Sequence, residues 1–317
     1  MAEARAWDRS EERGSLTGLR FVVWCYRSFG RRIAFLLVDP IVGYFFLTDR
    51  KGRRASLGYL GRVASTQEGR ASLGRSPGFW ACYLHYRSFA VSIFERLEMW
   101  LGRSEDFEID AEGIAPMQEH FRAGRGAVLI GAHLGSFDVL RLLAAKDGVA
   151  VNVVMYTRHA ERINRIFREL SPDATIRVIN VDPTSVNSTL EIRRCIERGE
   201  FVALLGDRTP PGGGDRCRWL PFLGAPARFP EGPFQLASLL RCPALLVLAL
   251  RSGPRSYRLI AEPLSEGSDA SRQERSRQVG EWTARYASRL EHHCVRAPYQ
   301  WFNFFDFWAA PSEGGTP

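Results

Sequence analysis

Residues 127–138 read Ala-Val-Leu-Ile-Gly-Ala-His-Leu-Gly-Ser-Phe-Asp. Ala127 to Ile130 is a short apolar run, the pattern of a strand buried on both faces. Gly131 and Gly135 bracket a turn, and Ser136 stands where an N-cap would open a helix through Val139, Leu140, Leu142 and Leu143. On one helix, His133 and Asp138 would point about 140° apart at ~3.6 residues per turn. With a turn between them, Asp138 can reach back to the imidazole. A carboxylate holding one ring nitrogen leaves the other free as a base. No GxSxG elbow or reactive-cysteine pattern lies within this stretch. The base is therefore expected to activate a substrate group rather than an enzyme nucleophile.

Working outward, apolar runs and helical patterns alternate. Strands are expected at 149–155, 176–181, 201–205, 243–250 and 257–260, the last two antiparallel through Ser252-Gly253-Pro254. Helices are expected at 78–101, 115–126, around Ile163–Leu170, at 185–198 closed by Gly199, and at 270–294. This predicts an α/β fold with a central, largely parallel sheet flanked by helices. Open sheets of this kind bind ligands beyond the carboxyl ends of their strands. Arg158 follows the second strand. Asp207 and Arg208 follow the fourth and open a Pro/Gly-rich loop, a reasonable substrate lid. Arg208 could grip a phosphate or carboxylate with its planar fork.

The chain carries 43 Lys and Arg against 35 Asp and Glu, a net charge of +8. That surplus suits nucleic acid, anionic lipid or an acidic carrier protein. The base-stacking and Gly-rich motifs of nucleic-acid modules are missing, and the aromatics sit in apolar runs, so no nucleic-acid partner is expected. The six cysteines are scattered and read as reduced thiols. No metal spacing appears, and His292-His293-Cys294 reads as a solvated helix end. No cleavable signal peptide is expected, because charged residues precede the first apolar stretch and no small-residue cleavage site follows.

Residues 19–47 are aromatic and aliphatic but are interrupted by Arg27, Arg31, Arg32, Asp39 and Pro40. The uninterrupted stretches fall far short of the ~20 residues of a spanning helix. The pattern suits a membrane interface, with core-facing helices as the alternative. Residues 50–62 read as a basic connector, facing either anionic lipid or water. The expected organisation is a helical, membrane-associating region over 1–104, an α/β core over 105–308 and a disordered tail over 309–317. The aromatic segment 298–308 is a plug on the core, part of an acyl-chain groove, or a membrane face.

Together, His133-x4-Asp138, Tyr156 with Arg158, Asp207-Arg208 and Phe222-Leu-Gly-x-Pro-Ala227 resemble the lysophospholipid acyltransferase superfamily, in particular its lipid A late acyltransferase branch. The aromatic ending is similar to that of acyltransferases of aryl polyene lipid pathways. The resemblance implies that His133 is the general base and Asp138 its orienting carboxylate. It also implies Arg158 as a substrate-site residue, with Asp207 and Arg208 standing where the branch carries an acidic-polar pair. Phe229-Pro-Glu-Gly-Pro233 looks like the Phe-Pro-Glu-Gly-Thr signature of glycerol-phosphate acyltransferases. That signature ends a strand, however, whereas here the residues are expected to open a helix. Glu231 is thus a secondary site candidate, with helix-dipole stabilisation as its other reading. The implied activity moves an acyl chain from acyl carrier protein or coenzyme A thioester to a lipid or glycolipid hydroxyl, with neither metal nor cofactor. The implied location is the cytoplasmic face of the bacterial inner membrane, peripheral or monotopic. A catalytically inactive lipid- or carrier-binding protein on the same fold is the alternative.

Overall fold

We describe the protein from a computed structural model, which covers residues 16–139, 150–156, 177–181, 186–208, 216–267 and 271–308. The expected helix beyond Val139, Arg158, the helix around 163–170, loop residues 209–214 and the tail 309–317 lie outside the described residues.

The strands are β1 (Glu108–Gly113), β2 (Val128–Gly131), β3 (Val151–Tyr156), β4 (Arg177–Val181), β5 (Phe201–Leu205), β6 (Cys217–Phe222), β7 (Ala225–Pro230), β8 (Ala244–Gly253) and β9 (Ser256–Ser265). Seven of them form one sheet in the order β1-β9-β8-β2-β5-β3-β4, and β6 and β7 form a separate hairpin. Every neighbouring pair in the sheet is parallel except β8 with β9. The α/β expectation, with one antiparallel pair, therefore holds.

The central strands are apolar throughout because both faces are covered. Val128 and Ile130 pack in one cluster with Leu246 and Leu248, while Ala127 and Leu129 pack in another with Leu245 and Val247. This is the period-two alternation of a strand between two helical layers. The helix Arg272–Arg296 contributes Trp282, Tyr286 and Leu290 to the first layer.

Besides the hairpin of β6 and β7, two elements differ from expectation. β1 is a polar edge strand of sequence Glu-Ile-Asp-Ala-Glu-Gly, without the apolar run that marks a strand, and it forms because β9 offers it a parallel partner. Residues 50–62 are not a connector but lie within a helix, Arg50–Val63, N-capped by Asp49, whose carboxylate accepts the Gly52 N–H at 3.0 Å. Its Gly52, Ser56, Tyr59, Leu60 and Val63 share a buried face, so the basic residues form only its outer side.

Helices α1 (Leu16–Leu36), α2 (Val38–Thr48), α3 (Arg50–Val63), α4 (Gln67–Leu73) and α5 (Phe79–Trp100) precede β1, and α1 is kinked at Gly30. None among the described residues is long and apolar enough to cross a membrane. One side of α1 and α2 packs on α5 through Cys25, Ala34, Val38, Val42 and Phe46. The other side leaves Trp24, Phe29, Leu36, Tyr44 and Leu47 exposed, with Phe79 and Trp80 of α5 also exposed.

Helix α5 also carries a fully buried imidazole. His85 Nε2 lies 2.8 Å from the Trp301 carbonyl, and Nδ1 lies 2.9 Å from Ser56 Oγ. A carbonyl only accepts, so Nε2 carries the proton and Ser56 donates to Nδ1. Burial pushes this ring's pKa down to about 4, against the opposing pull of the Trp301 carbonyl. The folded ring is neutral, so as the pH falls below 6.5 the unfolded chain binds the proton first. Stability from this ring is full above pH 6.5, declines as the pH drops, and is gone below about 4. The loss is roughly 3 kcal/mol over that window. His85→Gln, which keeps an uncharged donor, should flatten that part of the pH dependence in denaturant unfolding measured across the same range.

Candidate active site

β2 and β5 are parallel neighbours with Gly131 opposite Leu205. Two residues beyond that pair stand His133 on one loop and Asp207 on the other. The Gly206 N–H donates to the Gly131 carbonyl at 2.9 Å, and Tyr286 Oη donates to the same carbonyl at 2.8 Å, so the two strand ends are locked together. A side chain at Gly206 would collide with Ile130 and Tyr286. At Gly135 the backbone has φ +77°, and a Cβ would lie 2.1 Å from the Ala249 carbonyl. Only glycine lets the His133 loop turn back onto β8.

His133 Nδ1 lies 2.8 Å from Asp207 Oδ1, and the His133 backbone N–H donates to Oδ2 at 2.9 Å. Trp301 Nε1 donates to the same Oδ2 at 3.0 Å. Asp207 is 1% exposed, while 29% of the His133 side chain faces solvent. An aspartate only accepts when ionised, so Nδ1 carries the ring proton and Nε2 presents its lone pair. Among the described residues none bonds Nε2.

Burial alone would push the Asp207 carboxyl up. The His133 charge and hydrogen bonds, with the Arg208 guanidinium, outweigh burial and hold it well below the usual carboxylate range. Burial lowers the His133 pKa below that of a free imidazole, aided by Arg208 and Arg96 and opposed by Asp207. The ring is consequently neutral at neutral pH, the state a general base requires.

The expectation that Asp138 holds the His133 ring is therefore corrected: the carboxylate on Nδ1 is Asp207. Asp138 sits in the first turn of the following helix, where its carboxylate lies 2.6 Å from Arg96 Nε, a close ion pair whose N–H points off the line of contact. Trp100 Nε1 also donates to Asp138 at 3.4 Å. Ser136 precedes the helix as expected, but its buried hydroxyl has no partner among the described residues. Its backbone N–H donates instead to the Ala249 carbonyl.

Asp207, expected as a substrate-binding residue, lies buried beneath His133 with its carboxylate on the ring Nδ1. Arg208 donates to the Phe302 carbonyl at 2.7 Å, stacks over Phe305, and keeps a buried Nε that has no partner among the described residues. Glu231 pairs with Arg218 Nε at 2.7 Å, and no described contact brings it to His133. Its segment opens a helix, Gly232–Leu240, as expected, and also ends a strand, β7, which was not expected. That strand belongs to the separate hairpin, so the segment only superficially parallels a signature at the sheet's edge. Arg158 lies outside the described residues. Trp301, Arg96 and Trp100 enter the site without any local sequence signal. Asp207 had one, its position two residues past a buried strand.

The class defined by these features is an open α/β sheet carrying a carboxylate-held imidazole at its carboxyl edge, with no nucleophile attached to the base among the described residues. A sequence model described as bacterial lipid A biosynthesis acyltransferase matches residues 84–309, most of the chain. The protein belongs to that family, and membership indicates an acyltransferase acting on lipids. No curated protein matches the chain.

The two carboxylates can be told apart without substrate. Asp207→Asn should abolish the low-field proton resonance of a hydrogen-bonded His133 Nδ1, because the charged acceptor is gone. Asp138→Asn should leave that resonance in place, since its carboxylate faces Arg96. Proton NMR of the two variants checks both outcomes.

Proposed function

We propose that the protein transfers an acyl chain from an acyl carrier protein or coenzyme A thioester to a hydroxyl of a lipid or glycolipid at a membrane surface. The observation carrying this reading is the His133–Asp207 hydrogen bond, with Nε2 unpartnered among the described residues in a chain of acyltransferase family. In this mechanism His133 Nε2 removes the proton of the acceptor hydroxyl as its oxygen attacks the thioester carbonyl. The tetrahedral oxyanion collapses, the C–S bond breaks, and the imidazolium returns its proton to the departing thiolate. Asp207 stabilises the imidazolium, the role that makes such carboxylates worth orders of magnitude in rate. Arg208 and Arg158 remain candidates for holding an anionic substrate group or the oxyanion. The step needs no metal or redox cofactor.

The exposed aromatic and aliphatic side of α1 and α2 supports membrane contact from one face, with α1 basic through Arg20, Arg27 and Arg32. A cytoplasmic-face inner-membrane location and an aryl polyene setting extend this reading. A catalytically inactive binding protein is the competing reading, and an intact base–carboxylate pair argues against it.

Three outcomes test the proposal. Lipid mass spectrometry of cells with and without the gene should reveal one acylated species, restored by the wild-type gene and not by His133→Ala. In vitro transfer should fall about 10²–10⁴-fold in that variant at an unchanged melting temperature. A fully active His133→Ala protein overturns the mechanism. The acidic limb of the rate profile should lie below pH 6.5, because the His133 pKa is lowered and the base loses activity only as it protonates. A limb above 6.5 contradicts the assignment.

For the membrane, Trp24, Leu36 and Leu47 protrude without supporting the core. Replacing each with Ser should weaken sedimentation with anionic vesicles about tenfold or more per residue, given ~1.5–3 kcal/mol for burying such side chains. Unchanged vesicle binding by the folded triple variant argues against a membrane face here.

A further inference from the structure

We propose that Trp301 is a positioning residue of the active site, holding the Asp207 carboxylate in the one orientation that presents Oδ1 to His133. This rests on His133 being the base.

The geometry divides the carboxylate in two. Oδ1 receives the imidazole Nδ1–H, while Oδ2 receives two other donors, the His133 amide and the Trp301 indole. With both Oδ2 contacts made, rotating the carboxylate breaks three hydrogen bonds to a buried charge at once. The His133 amide moves with the loop and cannot by itself fix the carboxylate relative to the sheet. Trp301 can, because it comes from elsewhere in the chain and is itself immobilised.

Its ring is fully buried, edge-on to Tyr59 at 5.0 Å, Phe222 at 5.3 Å and Phe307 at 5.0 Å. Its carbonyl accepts the His85 Nε2–H, and His85 is held in turn by Ser56. The flanking backbone zips onto the catalytic loop, since Phe302 N–H donates to the His133 carbonyl at 2.8 Å and Gly135 N–H to the Gln300 carbonyl at 2.9 Å. The Gln300 side chain is tied to both backbone groups of Arg251 on β8. A buried indole usually needs some acceptor for its N–H. Here the acceptor is the charged group of the site, and the strap around it is anchored from both sides.

A packing-only role and a positioning role make different predictions. With the indole N–H gone the carboxylate is free to turn, Oδ1 is presented less well to Nδ1, and the charged ring loses part of its stabilisation. The charged groups acting on His133 besides Asp207 are Arg208 from the same strand end and Arg96 from α5, with Asp138 paired to Arg96. None of these is altered by the change.

The test uses full-length protein with all six histidines carbon-13 labelled, His133→Ala assigning the resonance. Trp301 is replaced by 3-benzothienylalanine, which keeps the bicyclic shape and puts sulfur in place of the N–H. Trp301→Phe serves as a second, coarser variant. The expected result is a retained cooperative unfolding transition in the isostere, at a somewhat lower melting temperature because a donor to a buried charge is lost, and a downward shift of the His133 titration midpoint by about half a pH unit or more in both variants. An unshifted or raised midpoint in the folded isostere overturns the proposal. The titration uses no substrate. Retained acyl transfer by His133→Ala would instead defeat the assigned function, whatever the titration showed.

Discussion

A single buried carboxylate sets the terms for this site. Asp207 is almost wholly out of water, and an isolated charge there would cost several kcal/mol even after relaxation. The fold meets that cost with three donors drawn from two distant segments, the loop after β2 and the strap near residue 301. If either segment is displaced, a buried charge loses its partners. The parallel register does the first half of the work: Gly131 faces Leu205, so equal steps beyond each bring His133 and Asp207 side by side. The chain's return across the sheet edge does the second half.

Most of the architecture was legible from periodicity. The buried strands are short apolar runs, and the described helices Ala115–Arg122 and Val186–Glu197 stand where helices were expected, so an α/β sheet with one antiparallel pair could be read directly. What could not be read was which strand lies beside which. Asp138 is five residues from His133 and Asp207 is seventy-four away, and without the strand order the nearer carboxylate is the natural partner. The order β8-β2-β5 reverses that preference. The missed elements share a cause as well. β1 is polar because it lies at an edge, and β6 and β7 carry Pro221, Pro226 and Pro230 within a two-stranded ribbon, where missing N–H groups are tolerated. Their pairing, not their composition, makes them strands.

Helix α5 connects the exposed N-terminal helices to the sheet. Glu95 and Glu98 are fully buried on it, yet both are satisfied. Glu95 receives Arg251, Tyr257 Oη and the Arg255 amide. Glu98 receives Arg31 from α1, Tyr26 and Arg255. Between them, Arg96 reaches Asp138 at the start of the helix after His133. Near the other end His85 grips the Trp301 carbonyl. Breaking a buried ion pair by removing one partner costs far more than the pair contributes over an apolar alternative, so such contacts specify position more than they add stability. Their joint effect is to fix α1, the β8–β9 turn, the His133 helix and the 301 strap against one rod.

The exposures of His133 and Asp207 suit the separate tasks proposed for them. A base must meet its substrate, so the imidazole keeps part of its surface open. An orienting carboxylate works best in a medium of low polarity, where its attraction to the imidazolium is least screened, so it is sealed beneath the ring by an indole. The same burial that strengthens this attraction also lowers the affinity of the imidazole for its proton, because the charged ring is poorly solvated. The two effects oppose each other on His133, and burial prevails in the resting state. The ring is thus held neutral and ready to accept a proton, with the negative charge already in place on the side where the imidazolium will form.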